Sequence, residues 1–510
     1  MKKYLAAILF LSMAIGFPAY AIEEAHEHHT CECGSHHHKT TPVDLRENSV
    51  LTIRDCISLG IQNSPVIKEK AYEYELAKSN VGIAKSQYFP ELYLGAGYLQ
   101  EFNSNSEEYS RRYRELPNVG VAINKMIYDF GKTNAKIKME EFITIAAEYE
   151  FEDSVCESVF RIKEHYYELL GKKSLWKAAQ TDLEIQNSII SEIKKLSNKS
   201  NNKEADLLTA TVQEKQAQSN LIDAENKYKN AKENLSNVLY LTEVPEYSIY
   251  ETQSFNYKPT MIKSFSSLSA PKSEKIAKDD TIFQHPTFSY DEAIKIANTN
   301  SPDLKALKAV RDAMEQAVLL TKRQNYPELN VSGGYNFVNT SKYSNNGFNV
   351  ALGLETDINF MENKYEIAGA KAQLDIASTE IELFAKNLSY RVRKALNSLN
   401  KTYANLPIAN EQMNAAAKNF DKIFEQYKSG KANYIDVFNA KNLYIESLEN
   451  YINSQVEYNA ALINLEMAMH EHLIDYHDDA EHAVNFHAGD ENSTLSKLIK
   501  CNKKHKPKKE

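Results

Sequence analysis

The stretch Asn63-Ser64-Pro65, Tyr88-Phe89-Pro90-Glu91-Leu92, Gly97-Tyr98 is written twice in this chain. The second copy reads Asn300-Ser301-Pro302, Asn325-Tyr326-Pro327-Glu328-Leu329, Gly334-Tyr335, and Pro65, Pro90 and Gly97 each lie 237 residues before their counterparts. Further on, Phe130 and Phe360, like Asp206 and Asp436, are 230 residues apart, so the two halves differ by seven residues between Tyr98 and Phe130. Self-similarity of this length predicts one structural unit used twice.

Periodicity shows what that unit is. Ile53, Ile57, Gly60 and Ile61 keep a helical spacing up to Ser64-Pro65. The residue before a proline avoids the α conformation, so a short helix, a corner and a longer helix towards Gln87 are predicted. After Pro90 the period drops to two: Leu92, Leu94, Ala96 and Tyr98 alternate with Glu91, Tyr93, Gly95 and Gly97. A polar turn leads to Val119, Val121, Ile123, Lys125 and Ile127, again alternating. In the second half Leu329, Val331, Gly333, Tyr335 and Phe337 alternate with Asn330, Ser332, Gly334 and Asn336. The chain then returns through Phe348, Val350, Leu352 and Leu354 against Asn349, Ala351, Gly353 and Glu355. Strands of about ten residues with one apolar and one small, polar face fit a wall between lipid and water. A hairpin on a soluble core shares the alternation, and the Asn- and Gly-rich second face favours a solvated lumen.

Both halves then turn helical for a long distance. Val155, Val159, Ile162, Tyr166 and Leu169 advance by alternating steps of four and three, as do Ala370, Leu374, Ala377, Ile381, Phe384 and Leu388. This repeat predicts helices supercoiled on their neighbours. From Gly131 to Ser197 such a helix is about 100 Å long at ~1.5 Å per residue, longer than one compact domain. Polar breaks at 197–202 and at Lys428-Ser429-Gly430-Lys431 precede return helices from Glu204 to Leu241 and from Tyr434 to His472.

The expected organisation is a signal peptide over 1–21, a His/Cys-rich segment over 22–50 and a first repeat over 51–241. Within that repeat a β-hairpin near 91–128 precedes a helical hairpin near 131–241. A Pro-, Ser- and Lys-rich linker over 242–288 leads to a second repeat over 289–472, with hairpins near 328–360 and 362–472, and a polar tail over 473–510.

Met1-Lys2-Lys3, the apolar run from Tyr4 to Phe17 and Ala19-Tyr20-Ala21 have the three parts of a secretory signal. The apolar run is shorter than the ~20 residues a span needs, and no later stretch reaches about 18. Entry into a membrane would therefore be as strands. Four strands cannot close a barrel and lipid tolerates no open edge, so membrane strands need several copies: two copies make eight, three make twelve. Removing Lys2 and Lys3 takes the formal net charge from −9 to −11, which disfavours nucleic acid as a partner. The five cysteines make no disulfide framework. Cys31 and Cys33 are too close for an ordinary bridge, and Cys56 and Cys156 could pair if the fold brings them together.

With its duplicated Asn-Ser-Pro and Pro-Glu-Leu segments, Tyr427-x-x-Gly430 and Ile435-Asp436-Val437-Phe438-Asn439-Ala440, the chain resembles the TolC-type outer-membrane efflux protein family over nearly all of residues 50–472. The resemblance implies a mixed fold, all-α plus membrane β. In it a trimeric twelve-stranded outer-membrane β-barrel continues into a long periplasmic α-helical coiled-coil barrel. It implies the exit duct of a tripartite efflux or type I secretion system, conducting substrates passively and without catalysis. The implied partners are two further copies (a homotrimer), outer-membrane lipid, a periplasmic adaptor and an inner-membrane transporter, with no nucleic acid.

The resemblance also implies a periplasmic gate. Asp436 matches the first of two lumen aspartates, and the second position is Asn439, so a double carboxylate ring becomes a single, cation-attracting one. Asp206 and Tyr427 match partners in a gate-closing hydrogen bond. An arginine that shares this latch is replaced by Ala432, which implies a weaker latch or one made by other groups. The adaptor would read the tips around Ser200, Asn201, Asn202, Gly430 and Lys431.

Two histidine groups stand apart. His26, His28, His29, Cys31, Cys33, His36, His37 and His38 offer imidazole and thiolate ligands suited to Zn or Cu, in a segment with no regular period. With the second group they raise a metal-efflux role; the alternative reading, for hairpins not in lipid, is a secreted periplasmic coiled-coil scaffold or metal-sequestering protein. His470, His472, His477, His482 and His487 are compatible with solvation of the last helix end. No nucleophile–base pair, catalytic carboxylate pair or phosphate loop is legible, so no enzyme activity and no cofactor are expected.

Overall fold

The computed structural model describes residues 49–102, 113–197, 204–241, 247–250, 289–340, 343–356 and 359–471. The expected signal peptide, the ligand set His26, His28, His29, Cys31, Cys33, His36, His37 and His38, most of the linker and the polar tail lie outside the described residues.

The first half runs β1 (Ser49–Leu51), α1 (Ile53–Asn63), α2 (Pro65–Ser86), β2 (Glu91–Phe102), β3 (Tyr113–Tyr128), α3 (Lys132–Ser197), α4 (Glu204–Val238) and β4 (Tyr247–Ile249). The second runs α5 (Tyr290–Asn300), α6 (Pro302–Arg323), β5 (Glu328–Thr340), β6 (Tyr343–Glu355), α7 (Phe360–Lys428) and α8 (Tyr434–Met469). Each Asn-Ser-Pro motif makes one corner. Ser64 and Ser301 close one helix and cap the next, accepting from the N–H of Ile67 and Leu304 at 3.3 Å. Pro65 and Pro302 take the first helical position, where a missing N–H costs nothing.

The four long strands form one antiparallel sheet in the order β2-β3-β5-β6. Directly paired residues share a face, so the register decides the composition of each side. Leu92 faces Ile123, Leu94 faces Val121, Val121 faces Tyr335, Tyr335 faces Phe348 and Val331 faces Leu352. The other side collects Gly95, Gly120, Asn124, Ser332, Gly334, Asn336, Asn349 and Gly353. Leu94, Phe348, Val350 and Leu352 are exposed in the single chain. Nothing within the chain covers either face among the described residues, and β2 and β6 are open edges.

A tight junction joins sheet to rods. Phe130 and Gly131 both take positive φ, and Asp129 accepts from the N–H groups of Gly131 and Thr133. Arg323 Nη1 donates to the Gly131 carbonyl at 2.8 Å, where any Cβ on residue 131 would collide with it. Exposed aromatic rings gather here: Phe89, Tyr128, Phe130, Tyr326, Phe360 and Tyr365.

The rods α3 and α7 are 66 and 69 residues long. In α3, Val159, Ile162, Tyr166 and Leu169 are buried with Val155 half-buried; in α7, Ala377 and Leu388 are buried. Helix α3 packs on α1, α2, α4, α6 and α8, whereas α7 packs on α5, α6 and α8. Two buried ion pairs cross the α3–α8 seam: Lys163 Nζ to Glu466 Oε2 at 2.7 Å and Lys441 Nζ to Asp182 Oδ1 at 2.8 Å. Both return helices end alike, with Tyr240 and His470 in the left-handed region and paired 6→1 and 5→2 backbone bonds.

Two points that the sequence leaves open are decided by the packing. The linker contains a strand, β4, which pairs in parallel with β1, and the Tyr250 carbonyl that follows accepts from Tyr166 Oη at 2.8 Å. Cys56 and Cys156 are free thiols. Burial pushes both thiols up, Cys156 to about 12, so neither carries a thiolate at neutral pH.

Candidate gate at the helix tips

The return helices begin in equivalent ways, with Asp206 and Asp436 at the third residue of α4 and α8. First-turn N–H groups and the helix dipole favour a carboxylate at that place. The Asp436 carboxylate is exposed and accepts from the Asn433 backbone N–H at 3.1 Å. Asn439 is likewise exposed on α8.

Tyr427, near the end of α7, is only 1% exposed. Burial first, then the negative charge of Asp206 and the neighbouring Tyr434, push its phenol up to about 12. Burial also raises Tyr434, which the Gln186 side chain opposes and the Asp206 charge reinforces. Gln186 itself donates Nε2 to the Ala210 carbonyl at 2.9 Å, tying α3 to α4. The charge of Asp206 thus reaches the two buried phenols Tyr427 and Tyr434, while Asp436 and Asn439 are exposed on α8. Sequence reasoning missed Tyr434 and Gln186. The counterpart of Tyr434 in the first half is Glu204, so the repeat itself carries no signal there.

The turn between α7 and α8 is set by Gly430 at φ +77°, where a side chain costs about 1 kcal/mol or more. Its N–H bonds the Tyr427 carbonyl at 3.0 Å and the Lys431 N–H bonds that of Gln426 at 2.8 Å, closing the helix end. Gly430 and Lys431 are exposed; Ser200, Asn201 and Asn202 lie outside the described residues. Behind the tips, Ile189, Ile193, Phe420, Phe424, Val437 and Tyr444 form one buried cluster, with Ala432 half-buried against it. The tips therefore sit on a packed base.

Residues 56–239 and 293–469 match the family model described as outer membrane efflux protein. The chain belongs to this family. The two matched blocks coincide with the two halves of the duplication. Among solved structures the chain is similar to CusC, at 13% identity and a TM-score of 0.67, over 84% of this chain and 95% of that one. It is similar to the CmeC outer-membrane channel of Campylobacter jejuni at 14% identity and a TM-score of 0.65, over 84% and 88% of the two chains. It is also similar to VceC of Vibrio cholerae at 14% identity and a TM-score of 0.64, over 82% and 95%. At these identities the likeness is one of fold. No curated protein matches the chain.

As an outer membrane efflux protein the chain is an outer-membrane channel of efflux systems, with its helical part in the periplasm. That sets aside the alternative of a secreted scaffold, and the family is one of channels rather than enzymes. No described helix is long and apolar enough to cross a membrane. The exposed apolar face of the sheet has the composition of a lipid-facing wall. The aromatic cluster at the sheet–rod junction has the composition of the ring girdle at a membrane interface.

Proposed function

We propose that three copies of this efflux protein close head to tail into one duct, a twelve-stranded barrel continued by a periplasmic helical tunnel. The observation that carries the reading is the unequal cover of two equivalent rods. Among the described residues helix α3 rests on α1, α2, α4, α6 and α8, but α7 has only α5, α6 and α8. By the duplication, the missing neighbours of α7 are α2 and α4 of the next copy. Those helices, with α7, leave Tyr72, Leu76, Leu208, Val212, Ile376 and Leu383 exposed. The same logic applies to the sheet. β3 pairs with β5 inside the chain, and the equivalent pair is β6 with β2, the two open edges. A heterologous contact repeated by a closing rotation makes a ring, and a ring removes the edges that lipid forbids. Mass measurement of the detergent-solubilised complex is expected to give three chains. A monomer or a dimer would overturn the reading.

Such a duct conducts passively, with energy supplied by an inner-membrane transporter reached through a periplasmic adaptor. The adaptor docks on the tips, including Gly430 and Lys431 and the segment holding Ser200, Asn201 and Asn202. Three Asp436 carboxylates around the axis give a single ring that favours cations. Asp436→Asn keeps the acceptor for the Asn433 N–H and removes the charge, so single-channel recordings are expected to show reduced cation preference. Unchanged selectivity places the ring elsewhere. Asp206 with Tyr427 holds the tips closed. A hydrogen bond to a charged group contributes about 1.5–3 kcal/mol, a roughly ten- to hundredfold shift in an equilibrium. Tyr427→Phe with Asp206→Ala is therefore expected to raise leak conductance by about that factor, and an unaltered leak removes the pair from the latch.

A further inference from the structure

Where α3, the start of α6 and the end of α8 meet, Asp153, Asp303 and His470 converge. One ligand atom from each lies within 4.8 Å of the others, and His470 Nδ1 is 3.8 Å from Asp153 Oδ1. The His470 side chain is 9% exposed, and among the described residues its Nδ1 has no hydrogen-bond partner. The expectation that His470 merely solvates a helix end is therefore wrong. It sits at the left-handed closing residue of α8, φ 49°, which turns the ring inwards. We propose that Asp153, Asp303 and His470 form a binding site for one first-row divalent cation of the Mn-to-Zn range.

The donor set is chemically suited. Two carboxylates and one imidazole serve such ions, whose bonds of ~2.0–2.2 Å place ligands roughly 3–3.5 Å apart. The present spacing reaches that with small side-chain rotations. The surrounding charge also leaves room for a dication: Asp153, Asp303, Glu150 and Glu157 stand against Arg391 and Lys305. Asp153, with 26% of its side chain exposed, leaves an entry path.

The fold does not itself demand these groups. The duplicated positions of Asp153, Asp303 and His470 are Leu383, Val66 and Tyr240. Tyr240 repeats the left-handed residue at the end of α4, and the equivalent positions carry no ligand-bearing set. Half-buried carboxylates that repel one another are an expense that a bound cation offsets.

The test uses the full chain, solubilised from outer membranes, with the histidines and cysteines of 26–38 and His472, His477, His482 and His487 replaced by serine to silence the other ligands. Titration with zinc chloride, and separately manganese chloride, is expected to show one saturable equivalent per chain. His470→Phe and Asp303→Asn should each weaken it by more than the roughly 10–100-fold that loss of an outer-shell partner costs. In chelator neither variant should melt below the parent. Retention of affinity in the variants, or absence of saturable binding in the parent, overturns the site.

Discussion

Glu466→Leu, with Lys163 left in place, is expected to destabilise the protein by about 3–5 kcal/mol, the cost of an unpaired buried charge. Lys163 is 1% and Glu466 0% exposed in the single chain, and assembly can only bury them further. Their 2.7 Å contact joins the middle of α3 to the last turn of α8. Desolvating two ions offsets most of their attraction, so the pair adds little net stability although breaking it is expensive. Lys163→Met with Glu466→Leu together should therefore recover to within about 1 kcal/mol of the parent or exceed it. Thermal or denaturant unfolding at matched protein concentration measures both. A single variant as mild as the double would show that water reaches the pair.

The position of these ion pairs has a further consequence. The seam equivalent to α3–α8 lies between α7 and α4, which do not pack together inside the chain. Its counterparts of Lys163 and Glu466 are Arg393 and Ser236, and those of Asp182 and Lys441 are Gln412 and Thr211. Charge pairing thus marks the seam that the chain makes with itself. A chain made of two similar halves needs such a mark to avoid exchanging one seam for the other.

Val350→Arg is the second large effect, about 2–4 kcal/mol for an arginine on the lipid face near the bilayer middle. Val350 is exposed in the chain, opposite Gly333, in the apolar row with Phe348 and Leu352. Ala351, one residue on, faces Ser332 on the Asn- and Gly-rich side. Ala351→Arg is therefore expected to assemble at parent levels and change conductance, whereas Val350→Arg should lower the amount recovered in outer membranes. Equal recovery of the two would mean that the sheet does not separate lipid from water.

Much of this architecture was readable before any coordinates because it is local. The Ser-Pro corners follow from the steric restriction on Ser64 and Ser301 and from the capping power of a serine hydroxyl. The two faces of the sheet follow from strand period alone, as the Val121–Tyr335 and Val331–Leu352 pairings illustrate. The four–three stepping from Val155 to Leu169 marks the buried stripe of α3 because helix geometry repeats it. The duplication adds the equivalence of distant elements, which even extends to the left-handed residues Tyr240 and His470.

Other features required the tertiary structure. Lys163 and Glu466 are 303 residues apart, and Asp182 and Lys441 are 259 apart, separations over which no local pattern signals a partner. The same holds for the meeting of Asp153 with Asp303 and His470, and for β4 beside β1. Periodicity is a property of backbone geometry within a few residues, so the sequence by itself determined the elements, their faces and their repetition. Which face meets which depends on how long helices cross and where they end, and that was decided only by the packed chain.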